Sequence, residues 1–231
     1  KRLKHSPSLT NYEPLKQLLK ERYSTSDTIV ILESMSQQAP SFKPIFQDLF
    51  DFYIEVKKFT NALQLKANYP ISIKENQMMQ LSEMLEDIQF YQSINQKELN
   101  EILTHFIPIF PEKEDTFLHH YVQVLLQQQE LPFVYKGIQP LKEICKGKSV
   151  FDKLEKMLQA SEELEEMQRL GEWFFEFKQY EKAIECFSWE MELQPQNPMP
   201  LQWLAKVYLE MGMQEESNMY RKLSKDLQKL A

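Results

Sequence analysis

Glycine is nearly absent from this chain, with only 4 Gly among 231 residues. Sheet proteins use glycine in tight hairpin turns, and nucleotide-binding α/β folds use it in phosphate-binding loops. A chain with so little glycine cannot supply many such turns or build a phosphate loop. The sequence is also rich in Gln, Glu, Leu, Lys and Met, which favour helices. We therefore predict an all-α fold.

Charge and hydropathy narrow the possible functions. Aromatic residues make up 12% of the chain, which argues against a disordered segment. The 34 acidic residues outnumber the 27 Lys and Arg, which argues against a nucleic-acid binder that neutralises phosphates. No apolar run approaches the roughly 18 residues of a membrane span. Cys145 and Cys186 lack metal-binding or redox spacing, so we expect reduced thiols and a cytoplasmic protein.

The clearest motif lies near the C-terminus. Two helical stretches, 163–178 and 180–194, are joined by a short turn and followed by a proline. Small, aromatic and aliphatic residues occupy fixed positions along them. These residues are Leu170, Gly171, Phe174, Tyr180, Ala183, Phe187 and Pro195.

This pattern resembles the tetratricopeptide repeat, a helix–turn–helix unit of about 34 residues. The tight crossing of the two helices needs small residues, so we expect Gly171 and Ala183 to face each other there. The aromatic residues would fill the space beside that contact, and Pro195 would end the unit. One position departs from the family, because Glu190 stands where the repeat has a second alanine.

The same spacing recurs elsewhere in the chain. A second repeat would follow the first, so that the two span 164–197 and 198–231. Its matching residues are Leu204, Ala205 and Tyr208, with Ser217 in the small position. A weaker match covers 41–107, where the corresponding residues are Leu49, Tyr53, Phe59 and Ala62.

The resemblance implies a right-handed α-solenoid of antiparallel helix pairs, a TPR-like superhelix. We expect a divergent helical-repeat region over 1–148 and TPR-like repeats over 149–231, with the last helix as a cap. Leu223, Leu227 and Leu230 share one helix face and should cover the preceding pair or form a homodimer seam. Proline, turn residues and period place helices near 9–23, 26–38, 41–57, 59–68, 73–90, 95–107, 113–128, 132–145, 149–160, 163–178, 180–194, 199–211 and 213–230.

No catalytic motif accompanies these helices. The adjacent His119 and His120 would point about 100° apart on a helix and could not chelate one metal from the same face. A phosphate loop, a zincin motif and a nucleophile elbow are all missing. We therefore expect no enzyme activity in these residues, no cofactor and no metal.

In tetratricopeptide folds, the first helix of each pair lines a concave groove. The exposed positions of the first repeat would be Glu165, Gln168, Glu172, Phe175 and Glu176, and those of the second would include Gln202, Lys206 and Glu210. Such a groove is acidic with apolar spots and suits a basic or amphipathic protein or peptide. The family's carboxylate clamp for chaperone tails is absent, because Gln168 and Glu172 replace its Lys and Asn.

The sequence is compatible with three functions. The first is a non-catalytic binding scaffold of cytoplasmic, bacterial type that holds a peptide or another protein's helix. The second is the C-terminal tail of a larger bacterial enzyme such as a family-2 glycosyltransferase, serving acceptor binding or dimerisation. The third is a peptide-sensing regulator of the kind that Gram-positive bacteria build from these repeats.

Overall fold

The computed structural model describes residues 8–230, except for the side chain of Leu230. Every regular element in this range is helical, and together they make fourteen α-helices and four short 3-10 helices. The predicted all-α fold class is confirmed. The superhelix and its right hand stay predictions.

The chain divides into two compact units, the first ending at Phe110 and the second beginning at Pro111. The first unit contains α1 (Leu9–Arg22), α2 (Thr25–Gln38), α3 (Lys43–Glu55), α4 (Phe59–Asn68), α5 (Glu75–Glu86), α6 (Ile88–Gln92) and α7 (Gln96–Phe106). The second contains α8 (Glu114–Gln128), α9 (Leu131–Ile138), α10 (Ser149–Ala160), α11 (Met167–Glu176), α12 (Tyr180–Leu193), α13 (Met199–Glu210) and α14 (Gln214–Leu230). The predicted boundary between 1–148 and 149–231 separates divergent repeats from regular ones. It does not describe compact units, and it stays a prediction.

Both units combine contacts between neighbouring helices with contacts over longer separations. From α8 to α14, each helix of the second unit packs against the next helix along the chain. Stacked helical repeats bury their apolar faces in this nearest-neighbour manner. The second unit adds longer contacts, because α8 also packs against α10 and its His119 stacks on Phe177. In the first unit, α4 packs against α3 and also against α7, although α5 and α6 lie between them in sequence.

Three helix hairpins share one turn geometry. After the first helix of each, one residue adopts a left-handed conformation, and the next backbone N–H donates to a carbonyl in the helix's last turns. The left-handed residues are Lys57 (φ 58°), Lys178 (φ 53°) and Gly212 (φ 78°). The donor–acceptor pairs are Lys58 to Tyr53, Gln179 to Phe174, and Met213 to Tyr208, each at 2.8 Å. The hairpins α3–α4, α11–α12 and α13–α14 therefore turn alike at the positions that the sequence spacing relates.

The closest atoms to Gly171 belong to Phe187 and Cys186 of α12. A Cβ placed on Gly171 would lie 2.7 Å from Cε1 of Phe187 and 3.0 Å from Cβ of Cys186. α12 therefore presents the ring of Phe187 to the glycine, and the missing side chain makes room for that ring. Ala183 is fully buried on the same helix, and its expected pairing with Gly171 stays a prediction.

Two predicted helices are shorter in the structure. The predicted helix 73–90 is broken at Asp87, because its side chain accepts a hydrogen bond from the Gln89 N–H at 2.9 Å and caps a new helix, α6. The predicted helix 132–145 ends at Ile138 and continues as a 3-10 helix, Gln139–Leu141, with proline in its first turn.

The Gly171 contact gives a stability prediction. We expect Gly171→Ala to lower the free energy of unfolding by roughly 1–3 kcal/mol, because a new Cβ would displace the Phe187 ring. Denaturant titration measures the loss. Phe187→Leu removes the opposing ring. The double variant should therefore lose less unfolding free energy than the sum of the two single losses. Full additivity would show that the two residues do not touch.

The shared turn gives a second prediction. We expect Gly212→Ala to destabilise the protein by about 1 kcal/mol, because a left-handed backbone disfavours any residue with a Cβ. Apart from the adjoining residues of the chain, no atom lies within 4 Å of that Cβ position, so the loss reports on the backbone alone. Conversely, Lys178→Gly should stabilise the protein, because glycine tolerates a left-handed backbone. The gain is reduced by the conformational entropy that glycine adds to the unfolded state. Thermal melts of both variants provide the measurement, and a neutral Gly212→Ala would contradict the left-handed turn.

Candidate partner-binding surface

The eight residues predicted to line the groove lie on α11, on α13 and on the 3-10 helix Leu164–Glu166. We call them the α11–α13 surface. The exposed members are Glu165, Glu176, Lys206 and Glu210, and the half-buried members are Gln168, Glu172, Phe175 and Gln202. All eight side chains can thus be reached from solvent, which a binding surface requires.

An aromatic cluster joins three helices at the centre of this surface. The Phe175 ring lies 5.5 Å from the Trp203 ring, edge to face, and 5.9 Å from Tyr180. Trp203 stacks on the buried Phe187 at 5.8 Å, with an interplanar angle of 12°. Aromatic pairs at such distances stabilise a contact beyond the area that they bury. The cluster therefore fixes the relative positions of α11, α12 and α13.

Charged side chains from α13 border the cluster. Burial raises the pKa of the Tyr180 hydroxyl, and the neighbouring Glu210 carboxylate raises it further. Glu210 thus acts on the same site as Phe175, which packs beside Tyr180. The Lys206 ammonium lies 3.9 Å from the centre of the Trp203 ring, a cation–π distance. The surface consequently combines acidic groups with one cation held on an aromatic face.

Neighbouring side chains pair with two carboxylates of α11, so the surface is less acidic than the sequence predicts. Glu176 forms an ion pair with Lys153 of α10, which compensates its charge. Glu172 accepts a hydrogen bond from Gln168 at 3.2 Å, and Asn197 in turn donates to Gln168 at 3.4 Å. The negative potential on this surface therefore comes mainly from Glu165, Glu172 and Glu210.

The predicted repeat positions divide by burial. The buried ones are Leu170, Gly171, Phe174, Ala183, Phe187, Leu204 and Ala205. Tyr180 and Tyr208 are half-buried, and Pro195 is exposed in the connection between α12 and α13. Their assignment as tetratricopeptide positions stays a prediction, and the burial pattern agrees with a core role for most of them.

Glu190 occupies the position where the repeat has a small residue, and it is buried at 2% exposure. Its Oε2 atom has no hydrogen-bond partner among residues 8–230. The Nε1 atom of Trp203 is likewise buried and unpaired within that range. The repeat pattern marks Glu190 as a departure but does not mark Trp203 as part of the site. Its place between the predicted groove residue Gln202 and the core residue Leu204 is the one sequence feature that points to Trp203.

The last helix packs differently from the prediction. Ser217 and Ser224 are buried against α13, where they donate hydrogen bonds to the carbonyls of Ala205 at 2.7 Å and Pro198 at 3.3 Å. Tyr220, on the same face, stacks on Tyr208 at 5.3 Å. The packed face is therefore the one that carries the two serines.

The expected leucine stripe is corrected accordingly. Leu223 is 47% exposed and does not cover the preceding helix, because it lies next to Ser224 and points about 100° away from it. Leu227 is half-buried. The side chain of Leu230 lies outside the described residues. A homodimer seam on this helix stays a prediction.

The adjacent histidines pack rather than converge. Their rings lie 6.5 Å apart at 65°, and His119 stacks on Phe177 at 4.6 Å. Burial lowers the pKa of His119, and the nearby His120 and Lys153 lower it further. Across residues 8–230, no three His, Cys, Asp or Glu side chains are grouped so that they could hold a metal ion. In the same range, no helix has both the length and the hydropathy of a membrane span.

No protein-family model matches the sequence, and no curated protein matches it. Among solved structures, the crystal structure of MamA aligns over 89% of this chain and 89% of its own, with 10% sequence identity and a TM-score of 0.29.

The buried carboxylate gives a third stability prediction. We expect Glu190→Met to raise the free energy of unfolding by about 1–3 kcal/mol, because it removes a buried polar group that lacks a partner and keeps a similar volume. The exposed Glu192 provides the control, and Glu192→Met should change stability by less than about 0.5 kcal/mol. If Glu190→Met destabilises the protein in denaturant titration, the carboxylate has a partner in solution.

Proposed function

We propose that this chain is a non-catalytic binding protein that holds a basic or amphipathic protein segment on the α11–α13 surface. One observation carries the proposal: the accessible aromatic pair Phe175–Trp203 lies on the α11–α13 surface, six of whose eight residues are acidic or amide. An aromatic anchor supplies residence time, and surrounding carboxylates steer basic partners.

The surface fits this ligand class better than an acidic one. Glu165, Glu172 and Glu210 outnumber the single cation Lys206, whose ammonium already lies on Trp203. A basic ligand side chain could take the place of Lys206 on that ring, with the carboxylates nearby. An acidic ligand would meet like charges, which weaken association. As part of the proposal, the paired helices α11–α12 and α13–α14 are two tetratricopeptide-like repeats whose first helices form the binding face.

Tryptophan fluorescence offers a local test. All 3 tryptophans, Trp173, Trp189 and Trp203, lie in the second unit, and Trp203 is at the proposed site. The probe is a designed Leu/Lys amphipathic peptide without aromatic residues, compared with its Leu/Glu counterpart. We expect the Leu/Lys peptide to change the fluorescence saturably and salt-dependently, and the Leu/Glu peptide to have little effect.

Charge reversal identifies the surface. We expect Glu172→Lys with Glu210→Lys to weaken that fluorescence titration about tenfold at low salt, because each reversed, partly exposed charge changes the binding free energy by up to about 1 kcal/mol. Neither substitution removes the Glu176–Lys153 ion pair. The matched control is Glu185→Lys with Glu192→Lys on exposed positions of α12, which should titrate like the unaltered protein. Equal behaviour of the two pairs would exclude the α11–α13 surface.

A further inference from the structure

A separate cavity lies within the first unit. Its volume is about 970 Å³, at the upper end of the range typical of ligand pockets. The lining comes from the end of α3, the turn after it, the start of α4, the second half of α5 and the segment around α6. We call it the α3–α6 groove. None of the residues predicted from the sequence to bind a partner belongs to it.

The floor of the groove is apolar and can be reached. Phe59 and Met84 are half-buried, and Ile54 and Phe90, which also line the groove, are buried. Methionine adapts its shape to different apolar partners, so Met84 suits a surface that must accept a side chain from outside.

The rim of the groove is acidic. Glu55, Glu83 and Asp87 line it with Lys57 as the one basic residue. Glu55 and Glu83 are exposed, and within the described part of the chain neither takes part in an ion pair. Asp87 uses one carboxylate oxygen to cap α6. The rim therefore carries a net negative charge that the protein's own side chains do not compensate.

Helix dipoles add to this negative charge. Glu55 is the last residue of α3, and Glu83 lies in the last turn of α5. The C-terminal end of a helix carries a partial negative charge, so anionic side chains are disfavoured there and cations are favoured. Two helices thus place carboxylates at their unfavourable ends, on the rim of one apolar groove. A cationic ligand would relieve both repulsions.

We infer that the α3–α6 groove is a second binding site, which takes a short amphipathic protein segment with an apolar side chain flanked by Lys or Arg. The apolar side chain lies against Phe59 and Met84, and the basic side chains pair with Glu55 and Glu83. The inference goes beyond the proposed function, because it concerns other residues in the other unit. Either site can exist without the other.

Methyl NMR of the whole chain with labelled methionine tests the inference locally. Met84 lines the groove, whereas Met79 is 60% exposed on the same helix outside it and provides the internal control. Met84→Leu and Met79→Leu assign the two signals. On addition of the Leu/Lys peptide, we expect the Met84 signal to shift saturably and the Met79 signal to stay in place. The Leu/Glu peptide should shift neither.

Charge reversal then tests the rim. We expect Glu55→Lys with Glu83→Lys to weaken the Met84 response about tenfold at low salt, with a smaller difference at high salt. The melting temperature should hold or rise, because lysine suits a helix C-terminus, so lost binding cannot be ascribed to unfolding. The control pair, Glu13→Lys with Glu101→Lys, reverses exposed charges on α1 and α7 outside the groove and should leave the response intact.

The possible results separate the two sites. The inference is overturned if the Met84 signal does not shift on addition of the Leu/Lys peptide. It is also overturned if the signal shifts equally after reversal of Glu55 and Glu83. A Met84 response without a tryptophan response would support the groove and contradict the proposed function of the α11–α13 surface. A tryptophan response without a Met84 response would do the reverse.

Discussion

The second unit depends on the position of one ring, Phe187. On one side it fills the space left by the missing side chain of Gly171, where a Cβ would lie 2.7 Å from the ring. On another side it stacks on Trp203, which in turn meets Phe175. Because protein interiors are close-packed, a shift of this ring must be passed to both neighbouring helices. The spacing of α11, α12 and α13, and with it the layout of the surface they share, therefore follows from the absence of a Cβ at one residue.

The sequence allowed the helices and most buried positions to be predicted because both depend on local periodicity. Leu170, Phe174 and Ala183 recur at helical spacing, and the structure buries them. Errors arose where side-chain chemistry overrides period. Asp87 breaks a predicted helix by capping a new one, and Ser224 packs where Leu223 was expected, because its hydroxyl reaches the Pro198 carbonyl. The spacing of apolar residues does not reveal such hydrogen bonds.

The binding residues were harder to predict than the fold because charge at a surface depends on partners distant in sequence. Glu176 belongs by spacing to an acidic helix face, but Lys153 on α10 pairs with it. The sequence pattern does not mark Trp203, because its importance comes from contacts with residues of two other helices. The α3–α6 groove has no sequence motif at all, since its rim consists of helix ends that come together only in the tertiary structure. Repeat spacing identifies which residues face outward, but only the packed structure shows which charges remain uncompensated.

The long-range contacts within each unit have a kinetic consequence. Contacts between neighbouring helices close short loops, and their entropic cost is low, so folding can begin at hairpins such as α11–α12 and α13–α14. The first unit must bring α4 to α7 across α5 and α6. The second unit must bring α8 to Phe177 and Gln179 across α9, α10 and α11 before those contacts stabilise anything. Larger sequence separation slows folding. The hairpins should therefore form first during refolding, and these longer closures should set the slower phase.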